Sequence, residues 1–364
     1  MLRTGPQWLN PKLRQLAATA LPAPPARPPG RSRRPAHPAP PGRWVHRQFR
    51  GGDGAREYDV YLPSGLSSHN RVPVVLLLHG CQQRSIDFAL ESGFVAAADA
   101  DGFMIVAPRQ ERHHQLQRCW RWYESEHQGR DRGEPAILAG LLAQVSGEEV
   151  LWRVDRRRVY AAGLSAGGAM ALILATTHPD LVAAAGIHSA TAYRSASQGF
   201  SALGAMTAHR SMPSHEMIGG QMAPVVLIHG TNDPVVRAPN ADRIVDQWLA
   251  SRDARRMTGL DRVRPRASTR ALVVDGRRCI RTRWYTARGR RVLEYWRIDG
   301  LRHAWSGGNR TGTFIDPKGP RAADVMMSFF HRHRLSHAVF ESAGGPSVRR
   351  TTMWRPAMWD DHPD

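Results

Sequence analysis

Short apolar runs recur along the chain, each closed by glycine, histidine, serine or proline: VPVVLLLHG (72–80), FMIVAP (103–108), VYAAGLS (159–165), LVAAAGIHS (181–189) and PVVLIHG (224–230). They are too short for helices, and an uninterrupted apolar run marks a strand covered on both faces, the habit of parallel sheets. Helical patterns fill the gaps, from Ile86 (IDFALESGFVAAADADG), from Ala169 (AMALILA), from Glu134 (EPAILAGLLAQVSGEEV) and from Ala241 (ADRIVDQWLAS). This alternation predicts an α/β fold, a mostly parallel, doubly wound sheet with helices on both faces and right-handed crossovers. Arg56 to Pro63 (REYDVYLP) alternates polar with apolar and predicts an antiparallel edge strand. RCIRTRWYTA (278–287) and RRVLEYWRIDG (290–300) flank a glycine-containing turn and predict a hairpin feeding the last strand.

Composition limits this pattern to part of the chain. Residues 22–41 hold nine prolines in twenty, which cannot bury a core. The expected organisation is therefore a basic, Pro-rich, disordered segment over 1–49, one catalytic domain over 50–335, and a short tail over 336–364. No stretch approaches the roughly 18 apolar residues of a membrane span. The first 20 residues, broken by Pro6 and Pro11, lack the apolar h-region of a signal peptide, which keeps a cytoplasmic location open.

The net charge of +20 resides in two places. Residues 1–50 carry ten Lys+Arg and no acid, and residues 252–291 carry fourteen Arg against three Asp. The rest is close to neutral, so no specific nucleic-acid partner is expected. Three cysteines, Cys81, Cys119 and Cys279, allow one bridge at most.

The chemistry gathers where the runs end. Gly163-Leu164-Ser165-Ala166-Gly167 fits G-x-S-x-G between a strand and an apolar helix, a turn so sharp that the residues flanking the serine must be small. Ser165, Asp233 and His303 then follow in the order nucleophile, acid, histidine, which is that of α/β-hydrolases. His303 would accept the serine proton and return it to the leaving alcohol, and Asp233 would hold the imidazole. The competing reading of Asp233 is an Asx turn before Pro234, and of His303 a surface histidine. An oxyanion hole needs two backbone donors, here Ala166 N–H and Cys81 N–H from the loop after VVLLLHG. No His/Cys/Asp cluster has metal-ligand spacing, and no cofactor is expected.

LLLHGCQQ, RCWRWY, RVYAAGLSAGGAMA, HGTNDPVV and GLRHAWSGG, in this order over roughly residues 50–335, resemble the polyhydroxybutyrate depolymerase-type esterases, α/β-hydrolases with feruloyl and acetylxylan esterase relatives. The resemblance implies the same triad, Cys81 N–H in the oxyanion hole, a Cys81–Cys119 disulfide, and Trp120, Trp122 and Trp305 near the ester pocket, where the alternative is core packing. It also implies an extracellular serine carboxylester hydrolase acting through an acyl-enzyme on Ser165, with a small or oligomeric hydroxyalkanoate ester as substrate. A feruloyl or acetylxylan type of esterase is the alternative within the class, and a non-catalytic basic binding module the alternative outside it. Oligomeric state and the identity of the acyl and alcohol groups are not legible.

Overall fold

Apolar strands that alternate direction of side chain but not polarity need cover on both sides, and one ten-stranded sheet supplies the frame for that cover. The computed structural model describes residues 42–66, 70–147, 152–207, 222–251, 267–309 and 312–336. The chain divides between Ala39 and Pro40 into two units, and all described residues belong to the second. The strands of that sheet are β1 (Arg43–Gly51), β2 (Gly54–Leu62), β3 (Arg71–Leu78), β4 (Met104–Pro108), β5 (Arg153–Leu164), β6 (Ala184–His188), β7 (Val225–Gly230), β8 (Ala267–Val274), β9 (Arg277–Tyr285) and β10 (Arg291–Ile298), and Trp305–Ser306 pairs with Ile315–Asp316 apart from it. The helices are α1 (Ser85–Glu91), α2 (Phe94–Asp101), α3 (Gly133–Gly147), α4 (Ala166–Thr177), α5 (Gly199–Thr207), α6 (Pro239–Ala250) and α7 (Ala322–Phe330).

The strand order is β1-β2-β4-β3-β5-β6-β7-β10-β9-β8. Neighbours from β4 to β10 run parallel, and antiparallel pairs close both ends. Within β3, Val74, Leu76 and Leu78 enter one buried cluster with Leu138 of α3, Leu172 of α4 and Trp248 of α6. Val75 and Leu77 enter the other, with Phe88 of α1, Phe94 of α2 and Met326 of α7. The chain leaves β3 for β4 on one side and returns to β5 on the other. That reversal opens a crevice beyond the carboxyl ends of β3 and β5, where open α/β sheets bind ligands.

Three expectations change. REYDVYLP is antiparallel but is not the edge, because β1 pairs along its whole length from Arg43↔Leu62 to Gly51↔Gly54. The sheet thus begins inside the stretch assigned to the basic N-terminal segment, where Arg and His at exposed positions mask the strand's alternation. The helix expected from Ile86 is two helices, broken at Gly93, whose φ of 85° is left-handed. Beyond the hairpin, β8 adds a further antiparallel strand from the Arg-rich region. Arg283 and Arg291 pair with the buried Glu294, and Arg277 pairs with Asp316, so part of that charge is internally matched. Residues 1–41, 252–266 and 337–364 lie outside the described residues. Among the described residues no helix is long and apolar enough to cross a membrane.

Histidines finish two neighbouring parts of the sheet. His79 follows β3 and His188 ends β6, and both are enclosed. Burial pushes His79 down to about 4 against the opposing pull of its hydrogen bond to Gly80. Burial, then the nearby His229 and His303, push His188 down to about 3. Both are neutral in the fold, so the unfolded chain takes up their protons first. The stability they allow is complete above about pH 6.5 and is lost progressively as pH falls toward 4. Urea unfolding at pH 7.5 and pH 5.0 is expected to differ by on the order of 2 kcal/mol for each of the two, the acidic sample being weaker, and the difference should shrink in a His188→Gln variant.

Candidate active site

Ser165 stands between β5 and α4 with φ 56° and ψ −119°, a region that side chains rarely enter. Two glycines make it possible. A Cβ on Gly163 would run into the backbone of Gly167, and one on Gly167 into the carbonyls of Leu78 and His79 at the end of β3. Ser165 N–H donates to His188 O at 2.9 Å and Ser165 O accepts from Ala169 N–H at 2.9 Å, so the turn is tied to β6 and to the first turn of α4.

The sequence-distant partners meet the hydroxyl in series. His303 Nε2 lies 3.0 Å from Ser165 Oγ, and His303 Nδ1 lies 2.8 Å from Asp233 Oδ2. With Nδ1–H donating to the carboxylate, Nε2 is left as the acceptor for the serine proton. The other carboxylate oxygen, Asp233 Oδ1, accepts from Val235 N–H and Val236 N–H, both at 2.9 Å. The Asx turn and the histidine contact are therefore both real, one on each oxygen. Burial pulls the Asp233 carboxyl up, but His303, His229 and the Val236 N–H outweigh it and hold it below the usual range.

Backbone bonds join the two loops that carry the acid and the histidine. Thr231 N–H donates to Ile298 O at 2.9 Å, and Asn232 N–H donates to Leu301 O at 3.1 Å. Gly230 is required there, since a Cβ would strike Leu301. His229, one strand position before Gly230, donates through Nε2 to Val236 O at 2.7 Å and braces the same turn from beneath.

On the opposite side, the Gly80 carbonyl accepts from His79 Nδ1–H at 2.8 Å and from Gln83 N–H at 3.3 Å. The Gly80–Cys81 peptide is trans, as are the others among the described residues, so fixing that carbonyl turns Cys81 N–H the other way. Among the described residues neither Cys81 N–H nor Ala166 N–H has an acceptor. Cys81 is bonded to Cys119. The Cys119 loop is anchored in turn: its O accepts from Gln110 Nε2 at 2.9 Å, and Trp120 Nε1–H donates to His79 O at 3.1 Å. Below it lies Glu134, buried with Arg56 at 3.3 Å and Gln110 at 2.6 Å, and accepting Arg121 N–H at 2.7 Å.

A cavity of about 260 Å³ opens beside Ser165, lined by Cys81, Gln82, Gln83, Trp122, Ala166, Thr191, Met206, Val235, Val236, His303 and Phe314 among others. Of the three candidate tryptophans only Trp122 lines it. Trp120 is enclosed under the His79 carbonyl, and Trp305 is enclosed between Phe88 and Phe94 with its N–H on Ser92 O at 3.0 Å; both serve the core. The sequence reading missed Gln83, Thr191, Met206 and Phe314. The repeated glutamine after HGC was a visible signal for the first; the other three stand in segments with no readable motif.

The family model described as Esterase PHB depolymerase matches residues 56–271. The poly(3-hydroxyalkanoate) depolymerase C of Paucimonas lemoignei is 26% identical over 198 residues, covering 52% of this chain and 46% of the relative. The poly(3-hydroxybutyrate) depolymerase of Ralstonia pickettii is 31% identical over 161 residues, covering 41% and 32%. The chain thus spans less than half the length of these two relatives. An acetyl xylan esterase from Aspergillus awamori superposes over 79% of this chain and 99% of its own with a TM-score of 0.57 at 16% identity, a likeness of α/β-hydrolase fold. With more than half of its residues matched by the family model, the chain belongs to the esterase family described as Esterase PHB depolymerase.

Proposed function

We propose that the protein is a serine carboxylester hydrolase acting on short-chain hydroxyalkanoate esters. The observation that carries this is the unbroken series Ser165 Oγ, His303, Asp233 at the wall of a cavity. Ser165 Oγ attacks the ester carbonyl carbon as its proton passes to His303 Nε2. The carbonyl oxygen gains charge within reach of Cys81 N–H and Ala166 N–H, two donors that the fold leaves unused. Collapse of the tetrahedral intermediate breaks the bond to the alcohol oxygen, which takes the proton from His303. Water, deprotonated by the same imidazole, then attacks the acyl carbon, and the acid leaves as Ser165 Oγ takes the proton back from His303. Asp233 stays ionised throughout and favours the imidazolium between these steps.

The short-chain assignment is supported by volume. About 260 Å³ lies below the roughly 300–1,000 Å³ typical of sites for drug-sized ligands. The hydroxyalkanoate assignment is supported by the family and by the names its relatives carry. Assay of p-nitrophenyl acetate, p-nitrophenyl butyrate, hydroxybutyrate oligomers and methyl ferulate tests it; a preference for the ferulate would move the protein to the aryl-ester branch, and no turnover of any would overturn an esterase.

Ser165→Ala is expected to lower kcat by on the order of a million-fold in a folded protein, His303→Ala nearly as much, and Asp233→Asn by about ten-thousand-fold, read on p-nitrophenyl butyrate. Labelling by a fluorophosphonate should disappear only with Ser165→Ala among conservative serine variants.

The disulfide closes a loop of 38 residues and braces the segment carrying the Cys81 donor. Chain entropy alone gives a contribution of about 4 kcal/mol. Cys119→Ser is therefore expected to lower the melting temperature and to reduce kcat more than it raises KM, because a misplaced oxyanion donor affects the transition state more than the bound ester. An unchanged kcat in Cys119→Ser would remove the bridge from the chemistry.

A further inference from the structure

Gln83 bonds to its own turn at Gly80 and to Thr313, 230 positions further along the chain. It is buried, and both ends of its amide are used. Oε1 accepts from Gly80 N–H at 2.8 Å, and Nε2 donates to Thr313 O at 2.9 Å. The orientation follows from the partners, since a donor faces one end and a carbonyl the other. Its own N–H adds a bond to Gly80 O at 3.3 Å. Gly80 is thus gripped at both N–H and carbonyl, directly before the Cys81 N–H that faces the developing charge.

The far end of the tether is equally pointed. Thr313 precedes Phe314, which lines the cavity, is 42% exposed, and has a left-handed φ of 58°. A bulky residue stays in that region only where its surroundings over-determine it. Here Thr313 O is held by Gln83, Thr313 N–H donates to Glu91 Oε2 at 3.1 Å, and Phe314 O accepts from Trp305 N–H at 2.7 Å. A large apolar side chain is held at the mouth of the site by the same amide that orients the oxyanion turn.

We infer that Gln83 is a positioning residue that couples the Cys81 oxyanion donor to the Phe314 wall, so that one side chain governs both turnover and the size of ester accepted. This rests on the esterase reading above. Gln83 touches no reacting atom; it acts through Gly80 on one side and through Thr313 on the other.

Gln83→Met keeps length and removes both bonds, Gln83→Asn keeps the amide but shortens its reach, and Phe314→Ala removes the wall alone. Steady-state kinetics are measured on two ester series, one varying the acyl chain from acetate to hexanoate and one varying the alcohol. Gln83→Met is expected to lower kcat on p-nitrophenyl acetate by about 10–100-fold with KM within about threefold, and Gln83→Asn to fall between it and the native protein. In one of the two series its size preference should shift in the same direction as that of Phe314→Ala. A folded Gln83→Met with native kcat would overturn the inference, and so would a lowered kcat without a shift in size preference in either series. If Gln83→Met melts below the assay temperature, Gln83→Asn carries the same two readouts. Native protein that neither hydrolyses an ester nor is labelled by a fluorophosphonate at Ser165 refutes the esterase reading itself; labelled, active protein with indifferent Gln83 variants refutes the tether alone.

Discussion

The contact on which the site depends is backbone against backbone: the first turn of α4 presses on the carbonyls of Leu78 and His79 at the end of β3. No side chain fits in that gap, so Gly167 is dictated by distance and Gly163 by the return of the same turn. The close approach sets two things together. It forces the backbone at Ser165 into a conformation that costs free energy, and it brings the first turn of α4 beside the end of β3. The cost is offset by burial over the rest of α4, whose residues from Ala166 to Ala175 are all enclosed. An apolar helix follows the serine because strain at its first residue needs a firmly seated body behind it.

Around this contact the protein uses histidine in two physical states. His79, His188 and His229 are enclosed, and burial depresses their proton affinity. A neutral imidazole has one donor and one acceptor, and in His79 both are used: Nδ1–H on Gly80 O, Nε2 accepting from Gln110 N–H at 3.2 Å. Such a ring is a rigid polar strut that needs no counter-ion. His303 differs in having a carboxylate at 2.8 Å, the Ser165 hydroxyl at 3.0 Å and a lining place at the cavity. These histidines thus differ by access and partner, and residue type alone does not separate them.

That division explains how far the sequence could be read. The parallel strands, the serine turn and the order of Ser165, Asp233 and His303 were legible because each depends on local pattern or on position at a strand end. β1 was not, because an edge strand exposes half its residues and fills them with Arg, His and Gln, which reads as solvated coil. The kink at Gly93 was hidden because apolar residues continue through it. Trp120 and Trp305 were near the site by motif, yet motif proximity does not say which way a side chain faces; their indole N–H groups are satisfied by main-chain carbonyls inside the core. Phe314 and Met206 were invisible for a different reason: lining depends on which distant segments meet at the cavity, and that is not written in the local sequence.

The two sides of the cavity are therefore built by different means. The side carrying Cys81 and Trp122 is held by a disulfide, an indole bond to His79 O and the buried Glu134 with its Arg56 and Gln110 partners. A buried ion pair of this kind resists single changes, since removing one partner leaves the other's charge uncompensated. The side carrying Met206 and Val235 is held mainly by main-chain bonds, such as Arg237 N–H on Met206 O at 2.9 Å, with Asn240 Nδ2 on the same carbonyl at 2.9 Å. The Met206 and Val235 side chains take no part in these bonds. The Cys81 side is thus fixed by a covalent bond and buried charges, and the Met206 side by hydrogen bonds to its main chain.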